Sequence, residues 1–94
     1  MYTIEQTADF KKWLKELKDP LAKITILKRI ERAKAGNFGD SKAIGDGLSE
    51  MRIDTGKGYR IYYTQIGNVI YLLINGGDKS TQQKDINKAK AFLK

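Results

Sequence analysis

The sequence contains no cysteine and no histidine, and these two absences exclude much of the chemistry that small proteins usually perform. Without cysteine, the chain has no disulfide framework, no zinc–thiolate site and no thiol nucleophile. Without histidine, it lacks the side chain that most often binds metals and most often transfers protons near neutral pH. Any catalysis must therefore depend on carboxylates, arginines, lysines or tyrosines.

Long hydrophobic runs and prolines are also scarce. The apolar runs are too short for a membrane-spanning helix and no secretory signal is visible, so we expect a cytoplasmic protein with no membrane partner. A single proline and a hydrophobic content of 40% predict a globular chain rather than a disordered one. At 94 residues, it should form one domain over residues 1–94 with one modest core.

Acidic residues are outnumbered by basic ones, and the net charge is +7. Most of the excess lies in residues 9–35 and 78–94, whereas residues 36–77 are balanced. A basic protein of this size often binds nucleic acid or an acidic partner. The alternative interpretation is that the lysines only keep helix surfaces soluble, as exposed lysines commonly do.

Apolar spacing and capping residues predict an α+β fold with the element order β, α, α, β, β, β, α. The alternating segment Tyr2–Glu5 predicts a first strand. Thr7 and Asp19–Pro20 are typical caps of two helices, which a short link should join into a helical hairpin. This hairpin should pack on a small, mainly antiparallel sheet. The first buried stripe should contain Phe10, Trp13, Leu14 and Leu17, and the second Leu21, Ile24, Leu27 (or Ile26), Ile30 and Ala33.

The second half of the chain begins with a glycine-rich segment, Gly36–Gly47. We interpret it as a connecting loop; the alternative is a substrate-facing or partner-facing loop that uses Asn37 and Lys42. Val69–Ile74 is apolar at every position, which predicts a central strand covered on both faces. Ser80 and Gln83 form a capping box that starts a final helix, whose inner stripe should be Ile86, Ala89 and Leu93, with Phe92 beside it.

Between them, Leu48–Asp54 and Gly58–Thr64 predict a β-hairpin around the turn Thr55–Gly58. An odd-numbered loop, such as a three-residue loop with a glycine bulge, sets Arg52 opposite Arg60 and Glu50 opposite Tyr62. An even-numbered loop would set Arg60 opposite Ile53. We favour the odd register because it puts Met51, Ile53, Tyr59, Ile61 and Tyr63 together on the other face.

The face with Glu50, Arg52, Arg60 and Tyr62 carries the candidate chemistry. A carboxylate between two arginines suits a phosphodiester, because arginines bind phosphate and a carboxylate can move a proton. In a metal-free ribonuclease mechanism, Glu50 would take the 2′-OH proton and Lys79, or alternatively Tyr62, would protonate the leaving oxygen. The competing interpretation is a cross-strand ion pair on a solvated sheet face.

Further residues around this face are candidates for substrate binding. Tyr62 could stack on a base, and Gln82 and Asp85, one helical turn apart, could face the same cleft or form an exposed pair. Lys57 in the turn and Lys42 in the glycine-rich segment could bind phosphates. The scattered acidic residues and the positive site disfavour a metal-dependent nuclease, so we expect no metal and no cofactor.

The same stretches resemble the RelE/ParE toxin superfamily, and in particular its HigB-type, phage Gp49-like branch of addiction-module killer proteins. The resemblance spans nearly the whole chain. It is carried by the element order and by five stretches: 36–40, 45–53, Gly-Tyr-Arg-Ile-Tyr-Tyr at 58–63, Gly-Gly-Asp-Lys at 76–79, and Gln82 with Asp85-Ile86. It implies the RelE-like fold and a type II toxin that a cognate antitoxin neutralises. RelE-like members cleave mRNA in the ribosomal A site and leave a 2′,3′-cyclic phosphate.

The resemblance also implies roles for individual residues. Arg60 matches the arginine that contacts the scissile phosphate, Arg52 falls where RelE has a catalytic lysine, and Lys79 matches a basic residue after the last strand. Glu50 falls near the position at which RelE has a second catalytic lysine, so a carboxylate there departs from the pattern. Asp85 lies near the place of a C-terminal tyrosine or histidine that several active relatives use.

Three functions are open at this point. The first is a ribosome-dependent mRNA endoribonuclease, with the ribosome, mRNA and an antitoxin as partners; the antitoxin would cover the Glu50/Arg60 face or displace the last helix. The second is a ParE-like inhibitor of DNA gyrase, which is not an enzyme. The third is a nucleic-acid-binding module without catalysis, which fits the charge but not the position of Glu50. The arginine, lysine and glutamate set favours RNA cleavage.

Overall fold

The computed structural model describes all 94 residues and has an α+β fold built on one five-stranded sheet. The strand order is β1-β5-β4-β3-β2; β1 and β5 are parallel, and every other neighbouring pair is antiparallel. The predicted α+β class and mainly antiparallel sheet are confirmed. In chain order the elements are β1 (Thr3–Gln6), α1 (Ala8–Glu16), α2 (Pro20–Lys34), β2 (Ser41–Gly45), β3 (Leu48–Ile53), β4 (Tyr59–Ile66), β5 (Ile70–Asp78), a single 3-10 turn (Lys79–Thr81) and α3 (Gln82–Phe92).

The sequence prediction missed β2, which forms within the segment interpreted as a connecting loop. Its residues pair antiparallel with β3, with Ser41 opposite Met51 and Lys42 opposite Glu50. The turn that follows contains Asp46 with a φ of 56° between two glycines that also have positive φ. Glycine and lysine are poor strand formers, so this edge strand depends on the main-chain hydrogen bonds that β3 offers rather than on its own propensity.

The first two helices begin where the sequence predicts. The side chain of Thr7 accepts a hydrogen bond from the backbone N–H of Phe10, and Asp19 accepts one from Ala22. These contacts satisfy amides that a helix leaves free at its start. Gly36, with a φ of 95°, follows the end of α2 in the left-handed conformation that glycine adopts most easily.

The predicted inner stripe of α2 is only partly correct. Ile30 and Ala33 are buried as predicted, and so is Ile26, the stated alternative to Leu27; the fourth buried position is Ala22. Leu21, Ile24 and Leu27 remain 65%, 51% and 47% exposed. The helix carries two apolar stripes at helical spacing, and only one of them can face the sheet. The spacing alone does not say which stripe is buried, because that depends on how the helix packs against the sheet.

The sheet separates two apolar clusters. The cluster under the helical hairpin, here the hairpin-side cluster, has eleven buried members. The cluster under α3, here the α3-side cluster, has four, namely Leu48, Tyr62, Ile74 and Ala89. The expectation that residues 69–74 form a strand covered on both faces is met by β5, with Leu73 in the first cluster and Ile74 in the second. The middle strand of the sheet is nevertheless β4.

The predicted capping box at Ser80 and Gln83 is wrong. Asp78 instead accepts a hydrogen bond from the Ser80 amide at 2.8 Å, and this contact starts the 3-10 turn. Because the turn comes first, α3 begins only at Gln82. Its inner stripe is as predicted: Ala89 is buried, with Ile86 and Leu93 packed beside it, while Phe92 is half exposed.

The predicted register of the β3–β4 hairpin is confirmed. Arg52 lies opposite Arg60, and Glu50 lies opposite Tyr62. The loop leaves five unpaired residues, 54–58, rather than three, so the number is odd as predicted but the loop is longer. Among the three helices, none combines the length and the apolar content that crossing a membrane would require.

Candidate functional site

Three of the four predicted catalytic side chains meet in one cleft beside the β3–β4 loop. Arg52, Arg60 and Lys79 line it together with Asp40, Ile53, Asp54 and Gly58. Its volume of about 250 Å³ is below the roughly 300 Å³ at which pockets for drug-sized ligands begin. Its size and charge therefore suit a compact anion such as one phosphodiester group.

Arg52 enters the cleft in a fixed orientation. Its Nη2 and Nε lie 2.8 Å and 3.2 Å from Oδ1 of Asp40. This hydrogen bond, together with the negative charge of Asp40, raises the pKa of Arg52 above its usual value. The guanidinium is therefore a permanent cation in the lining of the cleft. Asp40 was not among the predicted site residues.

Arg29 on α2 links the loop before β2 to strand β3. Its Nη1 donates to the carbonyl of Arg52 at 2.7 Å, and its Nη2 donates to the carbonyl of Phe38 at 3.0 Å. Partial burial lowers the pKa of Arg29, and the neighbouring charge of Arg32 lowers it further. Glycine suits position 39, because its φ is 64° and an added Cβ would lie 2.8 Å from Nη2 of Arg29. Nothing in the sequence distinguishes Arg29 from the other basic residues of α2.

Glu50 lies deeper than predicted. It shares a sheet face with Arg60, as expected, but α3 covers it and leaves its side chain only 2% exposed. Oε1 of Glu50 lies 3.7 Å from Nε of Arg60 and accepts a hydrogen bond from Nε2 of Gln82 at 3.0 Å. The expected exposed face is thus half covered: Glu50 lies underneath α3, whereas the Arg60 side chain, 12% exposed, extends to the cleft.

Tyr62 does not line the cleft. Its side chain belongs to the α3-side cluster and is fully buried, and its hydroxyl has no hydrogen-bond partner. Burial raises the pKa of Tyr62, and the negative charges of Glu50 and Asp85 raise it further. The phenol therefore stays neutral, and in this conformation its ring cannot stack on a base.

The remaining predicted binding residues lie in different places. Gln82 points inward to Glu50, while Asp85 accepts a hydrogen bond from the Thr81 hydroxyl at 2.6 Å. The two therefore do not face one cleft. Asp85 and Lys57 line a second, larger groove of about 690 Å³ near Trp13, along the end of β5. Lys42 is exposed on β2.

The groups that could bind a metal are dispersed. No three acidic side chains lie close enough together to hold a cation. The charged side chains that converge are instead three cations and two carboxylates, and the cleft that they line is next to the β3–β4 loop. Such an arrangement can bind an anion through several charge-assisted hydrogen bonds and can stabilise negative charge that develops on it.

Comparisons with known proteins place this geometry in context. No family model matches the sequence. An uncharacterized protein of Haemophilus influenzae is 51% identical over 87 residues, which cover 93% of this chain and 88% of that protein.

Two solved structures have a similar fold. The isolated Escherichia coli RelE toxin superposes with a TM-score of 0.68 at 15% identity and covers 94% of this chain and 98% of its own. In the intact E. coli RelBE toxin–antitoxin complex, a chain superposes with a TM-score of 0.63 at 19% identity, over 83% of this chain and 96% of its own. The chain therefore has the RelE-like fold, and it belongs to the same family as the H. influenzae protein.

Proposed function

We propose that this protein is the toxin of a type II toxin–antitoxin module and acts in the cytoplasm as a ribosome-dependent mRNA endoribonuclease. The observation that carries the proposal is the convergence of Arg52, Arg60 and Lys79 on one small cleft of a chain with the RelE-like fold. The motifs described above further favour the HigB-type branch of the RelE/ParE superfamily.

In this proposal the two arginines bind the scissile phosphate. Arg60 and Arg52 come from neighbouring strands at directly opposed positions, so their guanidinium groups approach the cleft from two sides. Two such cations repel each other unless an anion lies between them, and a phosphate can accept bidentate hydrogen bonds from each. They also offset the negative charge that accumulates on the oxygens of the pentacoordinate phosphorane in the transition state.

Glu50 and Lys79 have separate roles in the proposal. Lys79 lies at the start of the turn after β5, within the cleft, where its ammonium can protonate the leaving oxygen. Glu50 is too deeply buried to reach a ribose hydroxyl while α3 is in place. We therefore assign Glu50 the role of a positioning residue, which holds the guanidinium of Arg60 toward the cleft.

The proposed partners are the ribosome with its mRNA and a cognate antitoxin. The RelBE neighbour is a toxin in complex with its antitoxin, and this supports an antitoxin as a partner here. Exposed lysines such as Lys42 and Lys57 would contact RNA phosphates. This contribution to binding weakens as the salt concentration rises, because the release of counterions from the RNA then becomes less favourable.

The test is cleavage of a defined mRNA by the purified protein, on programmed ribosomes and in free solution, with the cut sites and 3′ ends mapped. We expect cuts only on ribosomes, with 2′,3′-cyclic phosphate ends. Cleavage of free mRNA would retain the nuclease but remove the ribosome from the mechanism. A protein that cuts neither and still arrests growth would refute the proposal, and DNA gyrase would then be the target to assay.

A further inference from the structure

Two carboxylates, Asp40 and Asp54, line the same cleft as the three cations. Both are exposed, in contrast to Glu50 beneath α3. The Asp40 side chain is 54% exposed, whereas that of Glu50 is 2% exposed. A general base must come within hydrogen-bonding distance of the proton that it removes. Of the acidic residues near the arginines, only these two are open to a substrate in the cleft.

Asp40 is held in place much more firmly than an exposed carboxylate usually is. Its backbone carbonyl accepts a hydrogen bond from the Arg52 amide at 2.8 Å, and Nη2 of Arg29 lies 3.5 Å from the same oxygen. Its side chain is fixed by the two hydrogen bonds from the Arg52 guanidinium. No ion pair or side-chain hydrogen bond fixes Asp54.

The two oxygens of the Asp40 carboxylate are not equivalent. Both hydrogen bonds from Arg52 end on Oδ1, so Oδ2 has no partner in the protein. A catalytic group must be held in one orientation and still keep a free atom for the reacting proton. Asp40 meets both requirements, because Arg52 contacts only Oδ1 and leaves Oδ2 free.

We propose that Asp40 is the general base of the cleft, an assignment that rests on the proposed RNA cleavage. Oδ2 of Asp40 removes the proton of the ribose 2′-OH, and the 2′ oxygen forms a bond to phosphorus. The bond from phosphorus to the 5′ oxygen breaks, and this oxygen takes a proton from the ammonium of Lys79. The products are a 2′,3′-cyclic phosphate and a 5′-OH, and water then returns the proton from Asp40 to Lys79.

With Asp40 as the base, Arg52 has two roles. Its guanidinium has five N–H donors, and the contacts with Asp40 use two nitrogens on one edge. The remaining donors can bind a phosphate oxygen in the cleft. The same side chain would therefore orient the base and bind the group on which the base acts.

The test is single-turnover cleavage of mRNA on programmed ribosomes by the D40N protein. Asparagine keeps an oxygen that can accept from Arg52 but cannot take up the proton, so we expect a rate about 10²- to 10⁴-fold lower, with unchanged ribosome binding. The matched control is D46N, which changes an exposed, ion-paired carboxylate outside the cleft, 3.4 Å from Nζ of Lys90, and should cleave at nearly the wild-type rate.

The pH profile separates a base from a residue that only positions Arg52. The wild-type rate should fall at acidic pH as the base becomes protonated; D40N should lose this dependence, and D40E should keep it. A D40N protein within about tenfold of wild type, or an equal loss of rate in D46N, would overturn the assignment. If wild-type protein cleaves nothing on ribosomes, the proposed function itself fails, and the variants are not needed to show it.

Discussion

The two faces of the sheet differ in the kinds of side chain that they bury. On the face under the helical hairpin, all eleven residues of the buried cluster are apolar or aromatic. On the face under α3, four apolar residues share the buried space with Glu50 and Asn75. The first face stabilises the fold through burial of apolar area. The second gives up part of that area to fix polar side chains beside the cleft.

Buried polar atoms without a hydrogen-bond partner also differ in number between the two faces. Four buried side-chain atoms lack a hydrogen-bond partner, and three of them, Nε of Arg60, the Tyr62 hydroxyl and Oδ1 of Asn75, belong to residues of the α3-covered region. Such atoms are few in native proteins, and each asks for an explanation. The unpaired buried polar atoms thus lie mostly on the α3 side of the sheet.

We expect the largest effect on stability from truncating two neighbouring residues of β5, one on each face of the sheet. Leu73→Ala truncates the hairpin-side cluster, and Ile74→Ala truncates the α3-side cluster. Both should lower the free energy of unfolding, within the range of about 2–5 kcal/mol for such changes. We expect Leu73→Ala near the upper end and Ile74→Ala near the lower, because α3 can shift into a small cavity. Urea denaturation measures both; a larger loss for Ile74→Ala would contradict the contrast.

The next effect concerns Arg60, which links the buried side of the α3-covered face to the cleft. Arg60→Ala should slow cleavage by about 10²-fold, as when an enzyme loses one donor to a charged transition state. The control, Arg32→Ala, removes an exposed arginine of α2 and should cleave normally.

Arg60→Ala also leaves Glu50 buried without its cation, so stability must be separated from activity. The double variant Arg60→Ala/Glu50→Gln removes the unpaired charge and should recover stability relative to Arg60→Ala alone. It should not recover cleavage. If cleavage returned together with stability, Arg60 would not contact the phosphate.

The smallest effect concerns Tyr62, whose hydroxyl is buried without a partner. Tyr62→Phe should leave stability at neutral pH unchanged or raise it by about 1 kcal/mol, because it removes an unpaired polar group. The matched control is Tyr59→Phe, which removes a hydroxyl that donates to Asp19 and should destabilise. Cleavage by Tyr62→Phe should equal that of wild type if the phenol is not the acid.

The same variant has a defined pH signature. Because burial raises the pKa of Tyr62 in the folded state, the unfolded chain loses its phenol proton first as the pH rises above about 10. Between the two pKa values the folded state binds more protons, so this tyrosine's contribution to stability falls as the pH rises. Tyr62→Phe should therefore show a shallower alkaline loss than wild type in denaturation at a series of pH values.

Local signals in the sequence predicted most of the framework. Thr7, Asp19 and Gly36 mark helix ends because capping depends on neighbouring residues alone. The alternation of the β3–β4 hairpin predicts which side chains share a face, including the opposed Arg52 and Arg60. The prediction of β2 failed for the complementary reason: an edge strand of weak propensity forms only because a neighbouring strand offers it hydrogen bonds.

The α+β class, the hairpin register and the cationic residues of the site could all be predicted from local patterns along the chain. Three features depend instead on the packing of distant elements: which apolar stripe of α2 is buried, the covering of Glu50 and Tyr62 by α3, and the contact of Asp40 with Arg52, 12 residues away in the chain. The two groups of features differ in range, because capping and alternation act over only a few residues. Burial and ion pairing at this site depend on which elements pack together, and no local pattern records that.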